Sequence, residues 1–216
     1  MRVHRDWVLT PERAAFHEPT ATAVIADVHL GYNQARCRSG EAVPFVTVAE
    51  ALAPLRRVVE RLAVRRLVIA GDLFEEGWSA SVVEELTRWL DEAQVELVAV
   101  TPGNHDRGLR AGLSHLPVFA DGFDLAGWHV SHGDGTLPDA PVVHGHVHPW
   151  FRLGPISAPC YLVSERAIVL PAFSLDAVGG NVVGKRQWRN HRCCAIAEGE
   201  VLDLGPLDRL NARLRT

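Results

Sequence analysis

ATAVIADVHLG, residues 21–31, sets an unbroken apolar run against Asp27 and His29. Small and β-branched residues from Thr22 to Ala26 read as a strand buried on both faces. The strand then runs out into a loop carrying a carboxylate and an imidazole two positions apart. On an extended segment both side chains leave the backbone on the same side. Four later segments repeat the form: RRLVIAGDL (65–73), VELVAVTPGNHD (95–106), GWHVSHGDG (127–135) and PVVHGHVHP (141–149). Each is a short apolar strand ending in Asp, Asn or His beside a glycine. In the last, His144, His146 and His148 alternate, so an extended strand would present all three on one side.

Between these strands lie helical patterns. TVAEALAPLRRVVERLAV (47–64) has apolar residues at helical spacing, with Thr47 as N-cap and Pro54 starting or kinking a second segment. SASVVEELTRWLDEA (79–93) reads as a helix capped by Ser79 or Ser81. After residue 160 the pattern is strand-rich: CYLVSE, AIVLPAF, and RCCAIAEGEVLDL as a hairpin across Glu198 and Gly199. Helix and strand alternate in the first half and strands dominate the second. The fold class expected is therefore α/β with a mixed or two-sheet core. Ligands in such folds sit at strand ends, where all five polar loops would meet.

The loops offer carboxylate, imidazole and amide oxygen, and no thiolate. That set suits Mn²⁺, Fe or Zn²⁺ and is too nitrogen-rich for Ca²⁺ or Mg²⁺. The candidate ligands are Asp27, His29, Asp72, Asn104, His132, His146 and His148. This set exceeds the four protein ligands of one tetrahedral ion. It is explained by two ions sharing a bridging carboxylate, a clamp suited to displacement at phosphorus. Gly31, Gly71, Gly103, Gly133 and Gly145 would let the chain turn tightly enough for the side chains to converge. His144 has no place in this count and is expected to pack behind the ligands.

The 216 residues suit one domain, 1–216, and 47% are apolar, as in an ordinary globular core. Lys and Arg number 22 against 26 Asp and Glu, a formal charge of −4. No global basic surplus announces a nucleic-acid partner, although a local patch could hide in the average. Four cysteines, Cys37, Cys160, Cys193 and Cys194, show no C-x-x-C pair and no disulfide framework. Reduced thiols and a cytoplasmic location are expected. The first residues lack the apolar centre of a signal peptide, and no apolar run is long enough to span a membrane.

The ordered set D-x-H (Asp27, His29), G-D-x-x-x-x-G (Gly71–Gly77), G-N-H-D (Gly103–Asp106), His132 and G-H-x-H (Gly145–His148) resembles the calcineurin-like metallophosphoesterases. The resemblance implies two packed mixed β-sheets flanked by helices, an αββα sandwich with a dinuclear metal site. It implies that Asp27, His29, Asp72 and His148 bind one ion, and that Asp72, Asn104, His132 and His146 bind the other. His105 would meet the phosphate and protonate the leaving oxygen, with Asp106 orienting it.

ADVHLGYNQARCRSGEAVP, GHVHP and LPAFSLDAVGGNV resemble the small bacterial and archaeal phosphoesterases that include the DNA-ligase-associated group. Ser131–His132–Gly133–Asp134 departs from the His-Glu-Pro of that branch. Arg36, Arg38 and Arg107 are candidate phosphate contacts, because a guanidinium fork matches phosphate oxygens. Tyr32 and Trp150 flank metal motifs and are candidate base-stacking groups.

The resemblance thus implies a dimetal phosphoesterase, with Mn²⁺ as the leading metal and a phosphodiester of the nucleotide or nucleic-acid kind as substrate. A phosphomonoesterase or a cyclic-nucleotide phosphodiesterase is the alternative on the same site. A non-catalytic scaffold is disfavoured, since His105 and every ligand are present. Oligomeric state stays open.

Overall fold

Thr22–Ile25 is a strand buried at every position, the fourth of six in the first sheet. The computed structural model describes residues 1–109 and 115–212. The first sheet runs in the order β1 (Arg2–Val3), β2 (Trp7–Leu9), β3 (Ala15–His17), β4 (Thr22–Ile25), β5 (Arg66–Ala70) and β6 (Glu96–Thr101). β1 to β4 form an antiparallel meander, whereas β4, β5 and β6 are parallel. Parallel neighbours need crossovers. These are supplied by α1 (Tyr32–Arg38), α2 (Val48–Ala51) and α3 (Ala53–Leu62) before β5, and by α4 (Ala80–Ala93) before β6.

Thr47 caps α2 in a reciprocal capping box with Glu50, and Pro54 lies in the first turn of α3, as their sequence positions suggest. Ser79 stands at the N-cap of α4, but its hydroxyl meets the Ser81 hydroxyl at 3.1 Å and caps no amide.

The second sheet contains β7 (Phe123–Leu125), β8 (Trp128–Ser131), β9 (Val142–His144), β10 (Pro149–Leu153), β11 (Ile156–Ser164), β12 (Ala167–Val169) and β13 (Gly180–Asn181). β14 (Arg192–Ala197) and β15 (Glu200–Pro206) form the hairpin expected across Glu198 and Gly199. β11 organises this sheet. Its first half pairs with β10, and its second half with β12 on one side and β14 on the other. β8, β9 and β12 are parallel neighbours, so the sheet is mixed.

Alternation along β4 explains the layering. Ala23 and Ile25 face the helices, where they join Leu52, Leu55, Val58, Leu86 and Trp89. Val24 and Ala26 face the other sheet and pack with Val68, Ala70, Val130, Val143, Tyr161 and Ile168. Tyr161 is fully buried between the sheets, and its hydroxyl donates to the Thr10 carbonyl at 2.7 Å. The outer face of the second sheet buries Phe151, Cys160, Leu162, Val169 and Cys193 beneath Val182, Trp188 and Leu207. Leu207 opens α5 (Leu207–Ala212), so this face carries one short helix and a loop where the first sheet carries a helical layer. Cys193 and Cys194 lie on opposite faces of β14, and all four cysteines are free. No helix of the described residues is long and apolar enough to cross a membrane.

Candidate metal centre

Because β4, β5 and β6 are parallel, their C-terminal ends share one edge, which places Asp27, Asp72 and Asn104 together. β8 and β9, also parallel, bring in His132, His146 and His148. Main-chain bonds lash the loops. The Asp27 amide donates to the Gly71 carbonyl at 3.0 Å and the His29 amide to the Asp72 carbonyl at 2.8 Å. Gly145 N donates to the His132 carbonyl, and Ser174 N to the Asp27 carbonyl.

The ligand loops are not extended. Asp27, His29, Asp72, His146 and His148 all have positive φ, between 44° and 67°. Each such residue costs roughly 1–2 kcal/mol in the left-handed region, and strain of this kind gathers at functional sites. The same-side argument from strand alternation therefore fails for Asp27/His29 and for His146/His148. The strand β9 stops at His144, and the two following histidines reach the site through backbone reversal. His144 stays on the strand, buried, with its Nδ1 donating to the Gly145 carbonyl at 3.1 Å.

Glycine enters here through close approach. A Cβ on Gly145 would strike the Asp27 carboxylate, and one on Gly103 would strike that of Asp72. Neither glycine has positive φ. Their missing side chains, rather than their turns, make room for the acids.

The donor atoms converge. Asp27, His29 and His148 offer atoms within 4.8 Å of one another, and so do Asp27, Asp72 and His132, and His29, Glu75 and His105. His132 stands at the middle: Nδ1 is 3.4 Å from Asp27 Oδ1, and Nε2 is 3.5 Å from Asp72 Oδ2. Asn104 Oδ1 and His146 Nδ1 lie 3.2 and 3.0 Å from His132 Nε2. His148 Nε2 is 3.5 Å from Asp27 Oδ2. All seven candidate ligands thus meet in one centre, and both Asp27 and Asp72 reach its two halves.

Buried His29 Nε2 and His132 Nδ1 have no hydrogen-bond partner among the described residues. Buried imidazole nitrogens that face carboxylates without bonding them are costly, and a cation between them removes that cost. Burial lowers the pKa of His29, which favours the neutral, metal-ready imidazole. Burial opposes the charge on His148 too, but Asp27 outweighs it and raises the pKa. The site therefore fits divalent ions held by oxygen and nitrogen.

His105 flanks the centre. Its amide donates to Asp72 Oδ1 at 2.8 Å, and its ring Nδ1 lies 2.9 Å from the Glu75 carbonyl oxygen. A carbonyl only accepts, so Nδ1 carries the proton and Nε2 is free to face a ligand. The orienting part foreseen for Asp106 falls instead to this carbonyl. The buried Asp106 carboxylate accepts from the amides of Leu73 (3.2 Å), Phe74 (2.9 Å) and Gly103 (2.9 Å). It braces the loop after β5 against the loop after β6. Burial raises its pKa in spite of the three amides.

Arg36 and Arg38 lie on α1 and are engaged by protein acids. Arg36 is paired with Glu41 and donates to the Tyr32 hydroxyl at 3.1 Å, while Arg38 is paired with Glu76. Arg107 lines a cavity of about 450 Å³ together with Glu75, Glu76, Asn104 and His105. Trp150 lies two positions beyond His148, with Arg13 and Arg152 against its ring. Glu75 was absent from the candidates read in the sequence. Its Oε2 is 2.8 Å from His29 Nδ1, off the N–H axis, and 4.0 Å from His105 Nδ1. Only its place three residues beyond Asp72 hinted at this.

The calcineurin-like phosphoesterase family matches residues 21–178 of the chain. The chain is 41% identical over 95 residues to the DNA double-strand break repair protein Mre11 of Methanopyrus kandleri. That alignment covers 42% of this chain and 20% of the Mre11 protein, so the chain spans a small part of that relative. The crystal structure of Pseudomonas putida nuclease MPE aligns with a TM-score of 0.74 at 22% identity. It covers 94% of this chain and 98% of the other, and shows the same sandwich fold. The family match contains every ligand-bearing loop of the centre, and the chain belongs to the calcineurin-like phosphoesterases as a metal-dependent phosphoester hydrolase.

Proposed function

We infer that residues 1–216 act as one domain that hydrolyses phosphodiesters of nucleotides or nucleic acids. The observation that carries this reading is the meeting of the seven oxygen and nitrogen donors around His132 and Asp27, with His105 at their edge, the histidine that the motif order leaves out of the ligand set. Asp27, His29, Asp72 and His148 would hold one divalent ion, and Asp72, Asn104, His132 and His146 a second. Bound ions of this kind supply Lewis-acid charge and acidify an attacking water. The donor chemistry favours Mn²⁺, with Fe or Zn²⁺ next.

The chain's own part is binding and proton transfer. His105, held through Nδ1–H on the Glu75 carbonyl, would donate from Nε2 to the leaving oxygen as general acid in its doubly protonated imidazolium form. Arg107 lines the same cavity, which supports it as a contact for a phosphate oxygen, whereas Arg36 and Arg38 would first have to release Glu41 and Glu76. The nucleic-acid part of the reading is supported by what the two relatives are named for. It is supported too by exposed Lys185, Arg186 and Arg189, which have no ion-pair partner among the described residues. The local patch runs against the overall charge of −4. Free cysteines suit a reducing, cytoplasmic setting.

The test is turnover of bis-p-nitrophenyl phosphate against p-nitrophenyl phosphate with added Mn²⁺. Turnover of the monoester alone would replace the diesterase reading by the phosphomonoesterase one. In His105→Ala, metal content should persist while turnover falls by roughly 10²–10⁴-fold. Equal loss of metal would make His105 a ligand.

A further inference from the structure

We propose that Glu75 is a specificity-determining residue whose fixed negative charge selects monoanionic phosphodiesters over dianionic phosphomonoesters. The proposal rests on the phosphoester hydrolase reading above and names the substrate class of that same site.

Glu75 sits on the loop after β5, three positions past Asp72, and lines the cavity that also holds Asn104, His105 and Arg107. Its Oε2 is 4.0 Å from His105 Nδ1, so the charge lies beside the histidine that meets the leaving group. The carboxylate is three-quarters covered and pressed against His29 at 2.8 Å, which fixes its position.

What neutralises the two acids differs. Glu76, on the same cavity wall, is paired with Arg38. Glu75 meets only the imidazoles of His29 and His105 among the described residues. No guanidinium or ammonium among these residues offsets its charge, so removing that charge changes the field on whatever enters even when His105 is protonated. A phosphodiester brings one negative charge; a phosphomonoester brings close to two above its second pKa of about 6. Both would enjoy Arg107 and the metal charge. Only the monoester carries the additional unit that Glu75 repels. One extra unit charge about 6 Å away at an effective dielectric of about 20 discriminates by about a hundredfold. Solvent screening through the open side of the cavity reduces this to about tenfold.

The experiment compares wild type, Glu75→Gln and Glu75→Asp, each loaded with Mn²⁺ and assayed for metal content. The quantity read is the ratio of kcat/KM for bis-p-nitrophenyl phosphate to that for p-nitrophenyl phosphate in one preparation. The active fraction cancels in this ratio, so partial misfolding of a variant does not disturb it. Glu75→Gln should keep its metals and shift the ratio toward the monoester by about tenfold. Glu75→Asp, which keeps the charge, should stay near wild type. Inorganic phosphate, read by calorimetry as a non-reacting dianion, should bind Glu75→Gln about tenfold more tightly. A Glu75→Gln ratio within twofold of wild type overturns the proposal, as does an equal shift in Glu75→Asp. Loss of metal in Glu75→Gln would make Glu75 a ligand and also overturn it. A wild-type protein that turns over neither ester would instead overturn the underlying reading, an outcome distinct from all of these.

Discussion

Asp106 follows His105 directly, yet its carboxylate turns away to three main-chain amides, those of Leu73, Phe74 and Gly103. Asp106→Ala would strip the acceptor from the buried Leu73 and Phe74 amides and from the half-buried Gly103 amide. An unsatisfied buried donor costs about 1–3 kcal/mol, with the lower end applying where water enters the vacated space. The sum is about 3–5 kcal/mol. For a chain of this length each kcal/mol moves Tm by about 2–4 °C, so Tm should fall by roughly 6–20 °C. Asp106→Asn keeps one acceptor oxygen and should lose about 2 kcal/mol.

The pH response adds a second signature. Burial raises the Asp106 pKa, so the folded protein holds that proton more tightly than the unfolded chain. The stability this contributes is present below the ordinary carboxylate pKa and is lost as pH rises through the folded value. Asp106→Asn cannot ionise and should remove that component. The assays are thermal melts of metal-free protein between pH 3.5 and 7, together with a pH–rate profile. The limb assigned to His105 should stay where it is in Asp106→Asn. Unchanged Tm with a displaced limb would refute the bracing role and return Asp106 to the orientation of His105.

Other outcomes follow from the same geometry. Gly145→Ala places a methyl group against the Asp27 carboxylate, and metal affinity by titration should fall about 10–100-fold, as when a ligand's support is removed. Unaltered affinity would show that the loop yields. Saturating Mn²⁺ at about 100 times its Kd should stabilise the fold by about 2.7 kcal/mol, seen as a rise of several degrees in Tm that chelation reverses. Burial holds His17 and His144 below the usual histidine value of 6.5. The unfolded chain therefore takes up these protons first, so their contribution is full above about pH 6.5 and is lost as pH falls toward the folded values. Between pH 7 and 5.5 the urea midpoint of metal-free wild type should fall further than that of His144→Gln, the raised His148 and Asp106 values acting the other way in both; parallel profiles would refute this.

The parallel strands were legible because a strand covered on both faces has no polar residue to interrupt it. β4, β5 and β6 fall where the apolar runs of 23–26, 67–70 and 97–100 put them, with polar Thr22, Arg66 and Glu96 at their entries. β1, β2 and β3 are only two or three residues long, too short for any alternation to register, and what secures them is pairing across the meander. α1 starts at Gly31 without a polar cap. Its loop is held instead by Asn33 and Gln34 donating to the Pro44 and Val46 carbonyls, contacts that no periodicity announces.

The site divides along the same line. Residue type and order marked the seven donors, because oxygen and imidazole at strand ends have few structural uses. Backbone conformation is not written in that order. His146 and His148 converge through left-handed reversals, where the alternation predicted an extended strand. Adjacency misled for Asp106, since neighbours in a turn point apart. Glu75 was hidden for a related reason: its charge matters through a loop fold that sets it on His29 and His105. A motif thus names the atoms that can take part in the chemistry. Which of the intervening residues shares the cavity with them, and with what charge, is decided by the loop backbone, and there the choice between one negative charge and two on the substrate would be made.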